Sequence, residues 1–235
     1  MSITSTEKRP RQGATALPRH RAGALVIALT GYPDVGKDTV AGILAPQQGF
    51  AAIAFADALR REVAEAWRID QRMLTERATK EWPIPALAAG MCGAPDFLRW
   101  CVDGGEGLHE PRSPRWVLQR WATYKRRFDP EYYARIVERW ILRQLGSGWT
   151  RLVVTDLRDQ VELAALRRVG AKVVRVHRTD RARLEEGTAS HCSERHLQLT
   201  ADADIVNDGS LQALVEVTLE CIAALQLSAD PSGVA

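Results

Sequence analysis

The sequence predicts an α/β fold, a doubly wound parallel sheet of five strands flanked by helices, and three observations carry that reading. Short apolar runs at "ALVIAL", "FAAIAFA", "RLVVTD", "AKVVRVHR" and "ADIVN" are too short for helices and suit strands buried on both faces. Segments of helical period separate them, and strand, helix and strand fit into about thirty residues, which implies right-handed crossovers. The first strand runs directly into "TGYPDVGKDTV", a glycine-rich turn that places Lys37 at the start of the next helix.

Taken in order, residues 1–22 are polar and basic, carry two prolines without periodicity, and are expected to form a disordered leader. No aromatic residue is interleaved there, so a nucleic-acid-binding arm is the weaker reading and DNA is not a favoured partner. The domain is expected over residues 23–228, with a loose Pro/Ser/Gly tail at 229–235. After the glycine turn, "KDTVAGILAPQQG" reads as a helix stopped by Pro46 and Gly49, and "DALRREVAEAWR" as the helix after the second strand. Residues 81–114 hold Pro83, Pro85, Pro95, Pro111 and Pro114 with several glycines, a composition that predicts an irregular excursion above the sheet within an insert at about 58–145. "PRWVLQRWATYKRR" and "DPEYYARIVERWILRQL" have helical spacing, with Asp129 and Pro130 placed to start the second. "QVELAALRRVG" is a helix closed by Gly170, and "SLQALVEVTLECIAALQL" a last helix starting at Ser210. Trp116, Trp121 and Trp140 fall among leucines and isoleucines at helical spacing, which favours core packing over base stacking.

Composition sets the outer limits. With 46% hydrophobic and 26% charged residues the chain can bury one sizeable core, and a net charge of +3 says little about a polyanionic partner. Cys92, Cys101, Cys192 and Cys221 form no CxxC pair, which argues against a tetrahedral zinc site and fits a reduced, cytoplasmic setting. No signal-type apolar stretch precedes residue 24 and no run approaches a membrane span, so no membrane partner is expected.

The turn is the strongest signal. Gly31-x-x-x-x-Gly36-Lys37 follows a strand and opens a helix, the context that separates a phosphate-binding P-loop from a chance pattern. Its glycines allow a nest of N–H groups around one anion, the helix N-terminus adds positive potential, and Lys37 reaches the outer phosphates. Gly31, Asp34, Val35, Gly36, Lys37, Asp38 and Thr39 are therefore the expected cradle of a nucleoside triphosphate, ATP, with Mg2+. Asp38 stands where a Ser or Thr usually follows the lysine. Either Asp38 approaches the Mg2+ shell, directly or through water, or it caps the helix while Thr39 takes the hydroxyl role.

Together with "FADALRREV", "TKEWP", "SPRWVLQRW", "VVTDLRDQVELAALRRVGAKVVRV", "HCSE" and "ADADIVNDGSLQAL", in that order, the "GKDTVA" form resembles the deoxynucleoside monophosphate kinases of tailed bacteriophages over roughly residues 24–225. The resemblance implies a P-loop kinase core, a helical lobe for the nucleoside monophosphate, a small lid at about 178–196, and transfer of the γ-phosphate of ATP to a deoxynucleotide. It also implies roles for matching residues. Asp156 sits at the position of a magnesium-supporting carboxylate and Arg158 at that of an acceptor-phosphate arginine, while Asp57 and Arg60 in "FAD…R" face the acceptor.

The residues themselves leave alternatives. Asp57 and Asp156 are equally placed to cap helices. Arg115 and Gln119, four apart on one helix face, suit a phosphate and a base edge, and Arg126 follows on the same helix. Where relatives show a glycine and a glutamate, this chain has Ala122, Thr123 and Tyr124, which leaves base choice open and admits a modified pyrimidine. Arg178, Arg181 and Arg183 fall in the lid, with Arg178 the one expected to close on the transferring phosphate; Ser193 suits the start of a helix, and His191 and Glu194 a lid hinge. Asn207 in "NDG" is expected to border the adenine of ATP. Other acceptors (a hypermodified base in DNA, or substrates of the phosphomevalonate and dephospho-coenzyme A kinase type), a non-catalytic nucleotide-binding module and a homodimer all remain open at this level.

Overall fold

The structure, a computed structural model, describes residues 23–179 and 199–229. Within them the five expected strands are present: β1 (Leu25–Thr30), β2 (Ala51–Ile53), β3 (Arg151–Val154), β4 (Lys172–His177) and β5 (Ala203–Val206). They form one sheet in the order β2-β3-β1-β4-β5, and every pairing is parallel. The two neighbours of β1 arrive from distant segments, so the sheet is wound in both directions from it, and the carboxyl ends on either side of β1 frame a crevice.

The helices are α1 (Lys37–Gln48), α2 (Phe55–Trp67), α3 (Pro95–Asp103), α4 (Pro114–Arg126), α5 (Tyr132–Gly146), α6 (Gln160–Arg168) and α7 (Leu211–Ala229). β1 shows why the sheet needs two covering layers: all six of its residues are buried. Leu25, Ile27 and Leu29 join the core under α1 and α7, while Val26 and Ala28 join the core under α5 and α6. Alternate side chains on a strand point to opposite faces, so one apolar strand seeds both layers.

The crossover between β2 and β3 builds a third core of its own, around Val63, Trp67, Leu87, Phe97, Cys101, Val117 and Trp121. Ring pairs Trp67–Phe97, Trp67–Trp121 and Phe97–Trp121 lie 5.1–5.7 Å apart, so Trp121 packs in the core as its helical spacing predicts. α5 lies outside this core; Ala134, Val137 and Ile141 pack on the sheet. The independent lobe is therefore shorter than the insert expected from the sequence.

Three expectations need correction. α1 runs through Pro46 to Gln48; the proline sits in the last turn, and Gly42, whose carbonyl it leaves unpaired, is exposed. Pro95 does not belong to an irregular stretch but occupies the first turn of α3, where its missing N–H costs nothing. α7 contains an 18-residue stretch, Leu211–Ser228, whose mean hydropathy of 1.4 and length meet the requirement for a membrane span, contrary to the sequence reading. It carries Glu216 and Glu220 and packs Leu214, Ile222 and Leu225 on the sheet. The expected leader, most of the lid, including Arg181, Arg183, His191, Ser193 and Glu194, and the tail beyond residue 229 lie outside the described residues.

Candidate active site

The P-loop sits where the sequence puts it, between β1 and α1, at the carboxyl ends of the strands. Gly31 has φ +135° and lies against β4 so closely that a Cβ there would come within 2.1 Å of the Val176 carbonyl oxygen. Gly36, at φ +103°, caps α1 in the left-handed region. Asp34 is also left-handed, at φ 63°, a conformation short polar residues tolerate. The chain thus wraps inward, with the first N–H groups of α1 left open for an anion.

Lys37 folds back over this loop and donates to the Gly31 carbonyl at 2.8 Å and the Tyr32 carbonyl at 2.5 Å. Burial, followed by the charge of Arg158, pulls its pKa down to about 8, against the opposing pull of Asp38, Asp34 and Asp156. Two cations so near each other repel, and an anion between them would relieve both. Arg158 is exposed just beyond β3, and its guanidinium has no hydrogen-bond or ion-pair partner among the described residues. Its backbone N–H is fixed at 2.8 Å by Glu162.

Asp156 accepts from the N–H groups of Phe55 (2.6 Å) and Ala56 (3.1 Å), so its carboxylate caps α2. Burial pushes its pKa up, and those two donors with Arg158 and Arg60 pull the other way. Asp57 caps as well, accepting the Ala54 N–H at 2.8 Å, and pairs with Arg60 at 3.1 Å. The capping alternative therefore describes both acids in this structure. Asp38 and Thr39 are exposed at the first turn of α1. Among the described residues no group of three or more His, Cys, Asp or Glu side chains is placed to hold a metal ion. Asp34, Asp38 and Asp156 bring carboxylates near Lys37, and Thr39 a hydroxyl to the first turn of α1.

On the acceptor side, α4 is started by Ser113, which accepts the Trp116 N–H, and by Pro114 in the first turn. Arg115, Gln119, Thr123 and Arg126 recur at helical spacing along one side of α4, opposite the buried Val117 and Trp121. Arg115 pairs with Glu81 at 2.8 Å. Arg126 is held by Glu162 at 3.0 Å and more loosely by Asp159 at 3.7 Å, which ties it to the end of β3. Tyr124, whose place in the family pattern bore on base choice, instead packs edge-on to Phe97 inside the lobe.

Asn207, directly after β5, spends its amide on the Val35 carbonyl at 2.9 Å and so braces the P-loop, a contact that the sequence does not announce. Arg178, part-buried at the end of β4, lies where its charge reaches Asp208, whose carboxyl is held low chiefly by the hydroxyl and N–H of Thr179.

Two residues were missed altogether. Glu162, 3% exposed, organises Arg126 and the Arg158 backbone; the D-x-x-E spacing from Asp159 marked a helix start but not this use. Arg77, from the chain between α2 and α3, reaches Asp34 at 3.1 Å and Asp38 at 3.4 Å, and no local pattern announces it.

Residues 122–217 match the family model of the deoxynucleotide monophosphate kinases, which bears out the resemblance read from the motifs. The matched segment runs from α4 through β3, β4 and β5 into α7; the P-loop lies before it, so the two signals are independent. No curated protein sequence matches the chain. Similar solved structures include the dephospho-CoA kinase from Campylobacter jejuni, at 13% identity and TM-score 0.46 over 87% of this chain and 98% of that one. A sugar kinase from Janibacter sp. HTCC2649 is similar at 14% identity and TM-score 0.43, covering 89% and 97% of the two chains.

Proposed function

We propose that the protein is a deoxynucleoside monophosphate kinase, transferring the γ-phosphate of ATP to a deoxynucleotide to give a deoxynucleoside diphosphate and ADP. The observation that carries the reading is Lys37, seated in a P-loop, within reach of the charge of Arg158 at the neighbouring strand end, whose guanidinium has no partner among the described residues. Phosphoryl transfer between two anions needs positioned cations rather than covalent chemistry from the protein. Lys37 and the loop N–H groups would hold the ATP phosphates, Arg158 the acceptor phosphate, and Arg115 and Gln119 the rest of the acceptor. Arg178 would act from the end of β4. Mg2+, held through Asp38, Thr39 or Asp156, would supply further neutralisation of the phosphate oxygens. With Ala122 and Tyr124 in place of a glycine and a glutamate, a 5-substituted pyrimidine belongs among the acceptors to be tried.

The test is ADP release from MgATP across the deoxynucleoside and ribonucleoside monophosphates and 5-substituted pyrimidine nucleotides. Turnover of one or more deoxynucleotides is expected, and Lys37→Ala should abolish it while the far-ultraviolet spectrum stays native. Full activity of that variant, or silence of the wild-type protein across the panel, would sink the assignment.

A further inference from the structure

We infer that Arg77 is a positioning residue for ATP, a counter-charge that the insert lobe delivers to the rim of the P-loop; the inference rests on the reading of that loop as an ATP site. A single nitrogen, Nη2, lies 3.1 Å from Asp34 Oδ1 and 3.4 Å from Asp38 Oδ2. Asp34 lies inside the loop and Asp38 directly after Lys37, so one guanidinium nitrogen gathers two carboxylates of the anion-binding turn. A triphosphate entering that turn meets both negative charges at its rim, and Arg77 offsets them.

The arrangement does little for the fold. Arg77 is 73% exposed and its partners 49% and 82%, and exposed pairs contribute almost nothing to stability. The same weakness lets the guanidinium exchange partners as phosphate arrives, which a buried pair would resist.

Its origin in the chain adds a consequence. Arg77 belongs to the strip that is pinned to α4 by the Arg115–Glu81 pair at 2.8 Å and by the Arg115 N–H on the Lys80 carbonyl at 3.0 Å. The acceptor lobe therefore touches the ATP loop through this residue.

Calorimetric titration of the full chain with MgATP tests the inference in wild type, Arg77→Ala, Arg77→Lys, Asp34→Asn and the Arg77→Ala/Asp34→Asn pair. Asparagine suits the left-handed backbone at 34, so the fold is preserved. Arg77→Ala is expected to weaken ATP about tenfold, one charge contact at a partly exposed site, with no change in melting temperature. Arg77→Lys should keep most of the affinity. Asp34→Asn in the Arg77→Ala background should recover most of the loss, because the negative charge that Arg77 offset is then gone. Unchanged affinity in Arg77→Ala, or an equal loss whether residue 34 is Asp or Asn, overturns the inference alone. Failure of the wild-type protein to bind MgATP overturns the functional reading and this inference with it.

Discussion

At Gly36 a side chain is excluded for two reasons at once, backbone and neighbour. The φ of +103° disfavours any L-residue, and a Cβ would lie 2.4 Å from the Asn207 amide nitrogen. That amide holds the Val35 carbonyl at 2.9 Å, so a residue 172 positions away sets the shape of the phosphate turn. Asn207→Ala should therefore leave the carbonyl unpaired, loosen the loop and weaken MgATP by about tenfold, roughly the 1.4 kcal/mol of one net hydrogen bond, as read by equilibrium titration. Unaltered affinity would mean that the brace is dispensable. The glycines and Lys37 were legible in sequence because conformation and phosphate chemistry restrict residue type locally. Asn207, Arg77 and Glu162 act through partners far along the chain, and their spacing carries no trace of those contacts.

Among the elements, the join between α2, α4 and α5 depends on one carboxylate. Glu62 accepts from Trp121 Nε1 (3.0 Å), Tyr132 OH (2.7 Å) and Tyr133 OH (3.1 Å), with Lys125 Nζ 3.8 Å away. Burial, then the bond to Glu62, pushes the Tyr132 hydroxyl up to about 12, and burial with the Glu62 charge raises Tyr133 further. Each hydroxyl thus stays protonated as the donor that Glu62 needs. Removing the acid strands three donors, so Glu62→Ala should destabilise by on the order of 3 kcal/mol, or roughly 10 °C in melting temperature, whereas Glu62→Gln should cost less because it retains an acceptor oxygen. Equal stability of both variants and wild type would show that water replaces the network freely. Helix periodicity located all three elements, since their apolar faces are local patterns. It could not show that Glu62 of α2 joins them, nor that Pro95 opens a helix, because a proline marks a boundary without saying on which side the helix lies.

For the molecule as a whole, the parallel sheet was legible because short apolar runs such as β1, buried along its whole length, suit a strand covered on both faces, while the extent of the lobe was not. α5 carries the same helical period whether it packs on the lobe or on the sheet, and only the contacts of Val137 and Ile141 decide. The largest whole-molecule consequence of the site is a pH dependence of folding through Glu162. Burial, then the nearby charges of Asp159 and Asp156, lifts its pKa to about 8, while the Arg158 N–H and Arg126 pull downward without prevailing. An acid with a raised folded pKa takes up a proton on folding between its ordinary value, about 4.5, and about 8. Its contribution to stability is therefore fully present below that window and is lost as pH rises through it. The full excursion is a few kcal/mol at most, since one pKa unit is about 1.4 kcal/mol and the rest of the chain titrates too. Urea unfolding at pH 5, 6.5 and 8 should show stability falling across the series in the wild-type protein. Glu162→Gln, which can still accept from the Arg158 N–H but carries no charge at any pH, should flatten that decline. A variant with the wild-type slope would mean that Glu162 is ionised throughout and that its pair with Arg126 outweighs the two neighbouring acids.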